Sequence, residues 1–335
     1  MFDAAGLFDK PIVCIGRAGM DFYPDPPGTK TEEATHFFSC LGGSSANICV
    51  AINQQGGSSA LVTSVSDDAI GRFCLNELDR YNIDKTHVRS VGGEFRNSLA
   101  VVESRIEDHQ SVIYRNGAAD FQMTTDDIAS VDFSKYSALI TTGTVLAAEP
   151  SRSAAFQAFE KARDAGLPLI FDIDYRPYSW PSAEDAAATY SKAGAVCDII
   201  IGNDVEFGFM AGSYEGGLDK ARELASRDAS IVVYKMGENG AVTLSEGSEI
   251  RTGIYPVNAL KPTGAGDSFM GGFIAGLATG HDLEASVLRG SASASMVVSR
   301  VGCSAAMPTT EELNTFLNEH PGPTSAPTST PTGVL

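Results

Sequence analysis

The sequence is poor in the features that would place it at a membrane, on nucleic acid or around a structural metal. No apolar run approaches the ~18 residues a membrane-spanning helix requires. The first residues carry no basic-then-apolar segment, so a cytoplasmic location is expected. Basic residues number 24 against 42 acidic ones, a net charge of −18. A field of that sign repels phosphate backbones and anionic lipid, which argues against nucleic-acid and membrane partners. It also repels an anionic substrate, unless local arginines or backbone amides receive it. The six cysteines (Cys14, Cys40, Cys49, Cys74, Cys197, Cys303) form no CxxC pair, and the five histidines are dispersed. No cysteine- or histidine-rich metal centre is expected from such spacing. Several thiols lie in apolar runs, Cys14 in "PIVCIG" among them, and read as buried packing residues of a reducing compartment. No GxGxxG follows the first predicted strand, which disfavours a dinucleotide-dependent oxidoreductase.

What is present is a chain of 335 residues, 43% hydrophobic, long enough to bury a large core. "KPIVCIG" and "SALVTSVSDD" read as buried strands, each followed by a helix. "YSALITTGTV", "LPLIFDIDYRP" and "CDIIIGND" continue the rhythm, with helices expected over 151–165 and near 215–227. "SIVVYKMGENGAVTLSEG" reads as strand, glycine turn, strand, and helices are expected over 267–299 and 309–319. Strands alternating with helices imply a mainly parallel sheet covered on both faces. Segments near 17–40 and 93–115 alternate differently and are assigned to a small antiparallel lid on one domain, 1–320. The tail "PGPTSAPTSTPTGVL", 321–335, has a disordered composition.

The most informative stretch is "KPTGAGDSFM", in which a glycine-rich turn opens an apolar helix. Free backbone N–H groups and the positive helix end make such a turn an anion cradle, yet it carries Asp267 in its mouth. A simple helix cap is the plain alternative, but a cap does not need Gly264 and Gly266 to clear space around it. "GGSSAN" (42–47) again places glycines before a helix, or makes an ordinary tight turn. Asp21 follows the first strand, at the sheet edge where ligands sit in such folds. In "GNDVEF", Asn203 and Glu206 are oxygen donors that can hold hydrated Mg²⁺, or simply an acidic helix start. Gly237 and Gly240 in "YKMGENGA" line a nucleotide or form a hairpin. Arg115 in "YRNGAAD" and Arg176 in "DIDYRPYSW" are forks suited to a carboxylate, or solvated surface groups.

Taken together and in this order, these motifs resemble the ribokinase-like (PfkB) family of carbohydrate kinases over roughly residues 10–315. The resemblance implies a three-layer α/β/α sandwich with a mainly parallel central sheet and a small β-strand lid. It implies ATP and Mg²⁺ as cofactors and a small sugar or sugar acid as partner. Asp267 would be the base, and the amides of Gly264, Ala265 and Gly266 the anion hole. Asn203 and Glu206 would organise Mg²⁺ through water. Asp21, Gly42, Gly43 and Asn47 would hold sugar hydroxyls, and Arg115 and Arg176 a substrate carboxylate. Lys235, Gly237, Gly240, Thr263, Ser291 and Ser295 would border the nucleotide. Segments such as "LKPTGAGDSFM" and "VVSRVGCSAAMPT" look most like the branch acting on 5-dehydro-2-deoxygluconate in inositol catabolism. 2-Keto-3-deoxygluconate and fructose are the alternatives, and a non-catalytic sugar- or nucleotide-binding regulator is the alternative of another class. Relatives often dimerise through lid strands, so a homodimer is possible. Where many relatives place an Asp that helps bind a monovalent cation, this chain has Lys261. The lysine ammonium is therefore expected to replace a bound K⁺. Lys235 stands where relatives often carry Thr, and Ile113 where keto-acid kinases often have Tyr.

Overall fold

A computed structural model describes residues 4, 6–320 and 322–324. Thirteen strands form two sheets among these residues. The large sheet is built from β1 (Ile12–Ile15), β4 (Ser59–Ser66), β5 (Asp84–Val91), β8 (Leu139–Thr142), β9 (Leu169–Asp172), β10 (Ile199–Asn203), β11 (Ile231–Lys235), β12 (Ala241–Ser245) and β13 (Ser248–Thr252). The strands β2 (Gly19–Asp25), β3 (His36–Gly42), β6 (Leu99–Val102) and β7 (Ser111–Tyr114) make the small one. The helices are α1 (Ser44–Gln54), α2 (Ala69–Arg80), α3 (Thr125–Ala129), α4 (Ser151–Asp164), α5 (Ala183–Gly194), α6 (Asp204–Ala211), α7 (Gly217–Arg227), α8 (Ala265–Ala278), α9 (Leu283–Val298) and α10 (Thr310–Glu319).

The large sheet runs β13-β12-β11-β10-β9-β8-β1-β4-β5 and is parallel except for the β11-β12-β13 edge. Its central strands are buried on both faces, as helices on either side require. In β1, Val13 and Ile15 join a core with Phe159, Leu169, Phe171 and Tyr190. Ile12 and Cys14 point the other way, into a core with Ile48, Ile52, Met270 and Phe273. This is the expected three-layer α/β/α sandwich. All six cysteines are buried and free, as their apolar surroundings indicated.

Two details differ from expectation. β5, "DKTHVRSV", was not foreseen, because its charged residues mask the alternation; charges of this kind protect an exposed edge strand. The small sheet, order β3-β2-β6-β7, is mixed rather than antiparallel, since β2 and β6 run parallel and join two antiparallel pairs. The tail from 321 lies outside the described residues except for 322–324. There Thr324 N–H donates to the Ile254 carbonyl (2.7 Å), and its Oγ1 accepts from Ile254 N–H (3.1 Å).

One packing contact sets up the site. A Cβ on Gly271 of α8 would lie 2.4 Å from the Ala51 Cβ of α1, so only glycine lets these helices approach so closely. Their first turns therefore converge above the C-terminal edges of the parallel strands, where open α/β sheets hold ligands.

Candidate active site

A single cavity of about 900 Å³ follows this edge from β13 to the small sheet. At its waist the loop Pro262–Gly264 enters α8. Gly264 has φ +86°, a left-handed conformation, and a Cβ there would lie 2.9 Å from the Cys303 sulfur. This turn aims the first amides of α8 into the cavity, where they have no intrahelical acceptor. Asp267 lies in the same first turn and accepts a hydrogen bond from Asn47 Nδ2 of α1 (2.9 Å). Burial raises the Asp267 carboxyl to about 7, and Asp174 adds to the rise; the Asn47 hydrogen bond, Arg176 and Lys235 pull the other way. A base that titrates near neutrality is suited to accept a hydroxyl proton.

Below Asp267 the strand ends contribute more carboxylates. Asp172 closes β9, and burial, with Asp174, Glu206 and Asp267 nearby, holds its proton well above the usual range. Asp174 has φ +37°, a strained conformation for a non-glycine residue, and pairs with Arg176 (2.7 Å). Neither Asp172 nor Asp174 was among the site residues expected from the sequence, although both lie in "LPLIFDIDYRP".

Asn203 and Glu206 form a reciprocal cap on α6. Asn203 Oδ1 accepts from Glu206 N–H (2.9 Å), and Glu206 Oε2 from Asn203 N–H (2.8 Å). Glu206 Oε1 accepts from Tyr175 N–H (3.2 Å), so both carboxylate oxygens serve the backbone, and Asn203 and Glu206 both line the cavity. Burial raises the Glu206 carboxyl, opposed by Lys235 and Arg176. Among the described residues no three Asp, Glu, His or Cys side chains converge closely enough to hold a metal directly. The donor set instead suits a hydrated cation, reached through water and shared with bound phosphates.

The nucleotide-side residues expected from the sequence, Lys235, Gly237, Gly240, Thr263, Ser291 and Ser295, all line the cavity. Lys235 Nζ stands 3.4 Å from where a Gly266 Cβ would be and over the Phe269 ring (5.4 Å), so its charge faces the cradle. Ser295 is occupied locally, donating to the Tyr255 carbonyl (2.7 Å).

At the other end, Asp21, Gly43, Asn47 and Ile113 line the cavity beneath the small sheet. Asp21 is buried, and burial raises its carboxyl to about 6 against the pull of Arg17, Tyr23 and Lys261. The buried Ser44 Oγ and Asn47 Oδ1 have no partner among the described residues. Such groups are polar capacity held for a ligand.

Two expected contacts are absent. Gly42 does not line the cavity: a Cβ there would sit 1.9 Å from Asp21 Oδ1, so it clears room for the aspartate rather than meeting substrate. Arg115 does not line it either, because Asp120 claims it in a buried ion pair. The same guanidinium donates to the Thr144 carbonyl (3.1 Å) and lies 4.1 Å from the Phe121 ring centre. The acid in "YRNGAAD", five residues beyond the arginine, was the available signal. Conversely, Arg17 lines the cavity and was not among the expected site residues, although it follows β1 by two residues in "GRAGMD".

Lys261 is fully buried under the cradle, where Nζ donates to the carbonyls of Thr263 (2.6 Å) and Val297 (3.2 Å). Burial lowers its pKa, against the attraction of Asp21 and Asp267.

Comparison with known proteins agrees with this geometry. Residues 9–310 match the model of the pfkB family carbohydrate kinases. The 5-dehydro-2-deoxygluconokinase of Photobacterium profundum is 36% identical over 316 residues, covering 92% of this chain and 96% of the relative. That of Geobacillus kaustophilus is 35% identical over 318 residues, 93% of this chain and 95% of the relative. Fructokinase from Xylella fastidiosa, solved with bound ATP, superposes with TM-score 0.80 at 21% identity, over 92% of this chain and 98% of that one. A double mutant of fructokinase from Vibrio cholerae O395, with fructose, ADP and potassium ion bound, gives TM-score 0.79 at 26% identity, covering 92% and 98%. Residues 9–310 place the chain in the pfkB family, and it is a carbohydrate kinase of that family.

Proposed function

We propose that the chain transfers the γ-phosphoryl group of ATP to the terminal hydroxyl of 5-dehydro-2-deoxygluconate. The observation that carries the reading is the waist of the cavity. There a carboxyl titrating near 7 stands among free helix amides, between a glycine-turn compartment and a polar compartment. The named activity of the relatives supplies the substrate.

In this reading Asp267 takes the hydroxyl proton as the oxygen attacks the γ-phosphorus. The bond to the departing ADP oxygen breaks, and the proton remains on Asp267. The N–H groups of Gly264, Ala265 and Gly266 receive the charge that grows on the transferring phosphoryl. Lys235 and Arg176 add positive charge on either side. Mg²⁺, when bound, neutralises and aligns the phosphates; Asn203 and Glu206 would hold it through water, with Asp172 close by. Asp21 and Asn47 position the sugar hydroxyls. Gly237, Gly240, Ser291 and Ser295 border the base and ribose.

A coupled ADP-release assay over 5-dehydro-2-deoxygluconate, 2-keto-3-deoxygluconate, fructose and ribose tests the proposal. The first should give the highest kcat/KM, by tenfold or more. Fructose matching the keto acids would overturn it.

A further inference from the structure

Three guanidiniums, those of Arg17, Arg115 and Arg176, act together on the Tyr178 hydroxyl and so share one neighbourhood. Two of them are already satisfied: Arg115 is paired with Asp120, and Arg176 with Asp174. Arg17 is different. It is only 7% exposed and faces the cavity. Yet no carboxylate forms an ion pair with it among the described residues, and its Nε has no hydrogen-bond partner. Asp21 attracts it but forms no ion pair with it, and a buried guanidinium without a paired carboxylate is unfavourable in a chain with an excess of acids from which to supply one. An unpaired arginine in such a place is best explained by an anion that arrives with the ligand.

Position in the sheet says which anion. Arg17 follows β1, and its carbonyl accepts from Ala46 N–H of α1 (3.2 Å), which fixes it on the Asp21 side of the cavity. The nucleotide turn after β11 lies four strand positions away. At about 4.8 Å per strand that separation is roughly 19 Å, which keeps Arg17 away from the nucleotide turn and on the acceptor side of the cavity. The anion therefore belongs to the acceptor. A planar fork of donors matches a carboxylate in two-point contact, which a hydroxyl-lined sugar site does not require.

We propose that Arg17 recognises the carboxylate of the sugar-acid substrate and sets the preference for acids over neutral sugars. This rests on the sugar-acid reading given above. It assigns the carboxylate to Arg17 and leaves Arg115 as a structural ion pair.

The test compares kcat and KM for 5-dehydro-2-deoxygluconate and for fructose in the wild-type chain, Arg17→Met, Arg17→Ala and Arg17→Lys. Expected is a hundredfold or greater rise in KM for the acid in Arg17→Met, with a much smaller effect on fructose, so that acid-over-neutral selectivity collapses. Arg17→Lys, which keeps the charge but not the fork, should fall between, and millimolar guanidinium should partly restore Arg17→Ala on the acid alone. Equal losses on both acceptors, or retained selectivity in Arg17→Met and Arg17→Ala, would overturn the assignment. A wild-type enzyme that prefers fructose to every acid would instead sink the sugar-acid reading itself. Thermal melting with and without ATP checks folding; should Arg17→Met fail to fold, the Arg17→Lys ratio decides.

Discussion

Titration of Asp267 offers the sharpest quantitative test of the catalytic reading. Its carboxyl is raised from 3.8 to about 7, mostly by burial. If Asp267 is the base, kcat/KM should follow the ionised fraction. That fraction is about 9% at pH 6 and about 91% at pH 8 for a group of pKa 7, so the rate should rise roughly tenfold between them. Asp267→Asn should lose about 10²- to 10⁴-fold in kcat, the usual worth of a general base, while ATP still binds. Folding stability should move in the opposite direction. Between pH 3.8 and 7 the folded chain keeps a proton that the unfolded chain releases, so this group makes stability fall as pH rises. Above pH 7 Asp267→Asn should therefore be the more stable protein. Full conversion of the pKa gap gives about 4 kcal/mol, and cavity water around the half-buried carboxylate reduces this to about 1–3 kcal/mol. Asn47→Ala removes the hydrogen bond that favours the ionised form, so the acid limb should shift to higher pH. Steady-state rates from pH 5.5 to 8.5 and chemical denaturation at pH 5 and 8 supply both readouts. A flat rate profile in the wild type, or substantial turnover in Asp267→Asn, would refute the assignment.

Lys261 leads to a second expectation: the ammonium held by Thr263 and Val297 should make turnover indifferent to replacing Na⁺ with K⁺. Lys261→Ala should lose at least tenfold in kcat and regain part of it with K⁺ or NH₄⁺, whereas strong K⁺ activation of the wild type would remove the argument. The small sheet exposes Phe37, Phe38, Val112 and Tyr114, a concentration of apolar surface that we assign to a homodimer contact. Light scattering on the purified chain should give twice 35.2 kDa, and Phe38→Asp should halve it; a monomeric wild type would dismiss the contact.

How much of this was legible follows from the kind of signal each residue carries. The parallel sheet could be read because strands such as "LPLIFD" and "CDIII" are apolar throughout, and glycines mark their turns. β5 could not, since its charged edge breaks the pattern that reveals a strand. The cradle was legible because a positive-φ glycine, free amides and an acid must be contiguous in sequence. Partnership across the fold is not contiguous. Each arginine has an acid within five residues, Asp120 after Arg115 and Asp21 after Arg17, and only the fold shows that the first forms an ion pair and the second does not. Likewise Gly42 and Gly43 look equivalent in "GGSSAN", yet only Gly43 lines the cavity, while Gly42 makes space for Asp21 on the neighbouring strand.

The same distinction explains how an acidic chain can handle two anionic ligands. With 18 more acids than bases, most of its cations are committed to acids, as Arg115 is to Asp120. Three cations without such partners sit in or under the cavity. Lys261 is buried beneath the cradle on carbonyls, Lys235 stands at its mouth, and Arg17 lies at the far end beside Asp21. Four carboxylates, Asp172, Asp174, Glu206 and Asp267, face Lys235 and Arg176 between these positions. Ionised together they would leave the floor two charges negative, a debt that raised pKa values ease only in part. A divalent cation held between these carboxylates and the nucleotide phosphates would offset repulsion between the two, and each ligand meets positive charge nearest where its own anion must lie. A cation placed beside Asp267 would favour its ionised form further, adding to the fraction already ionised above pH 7.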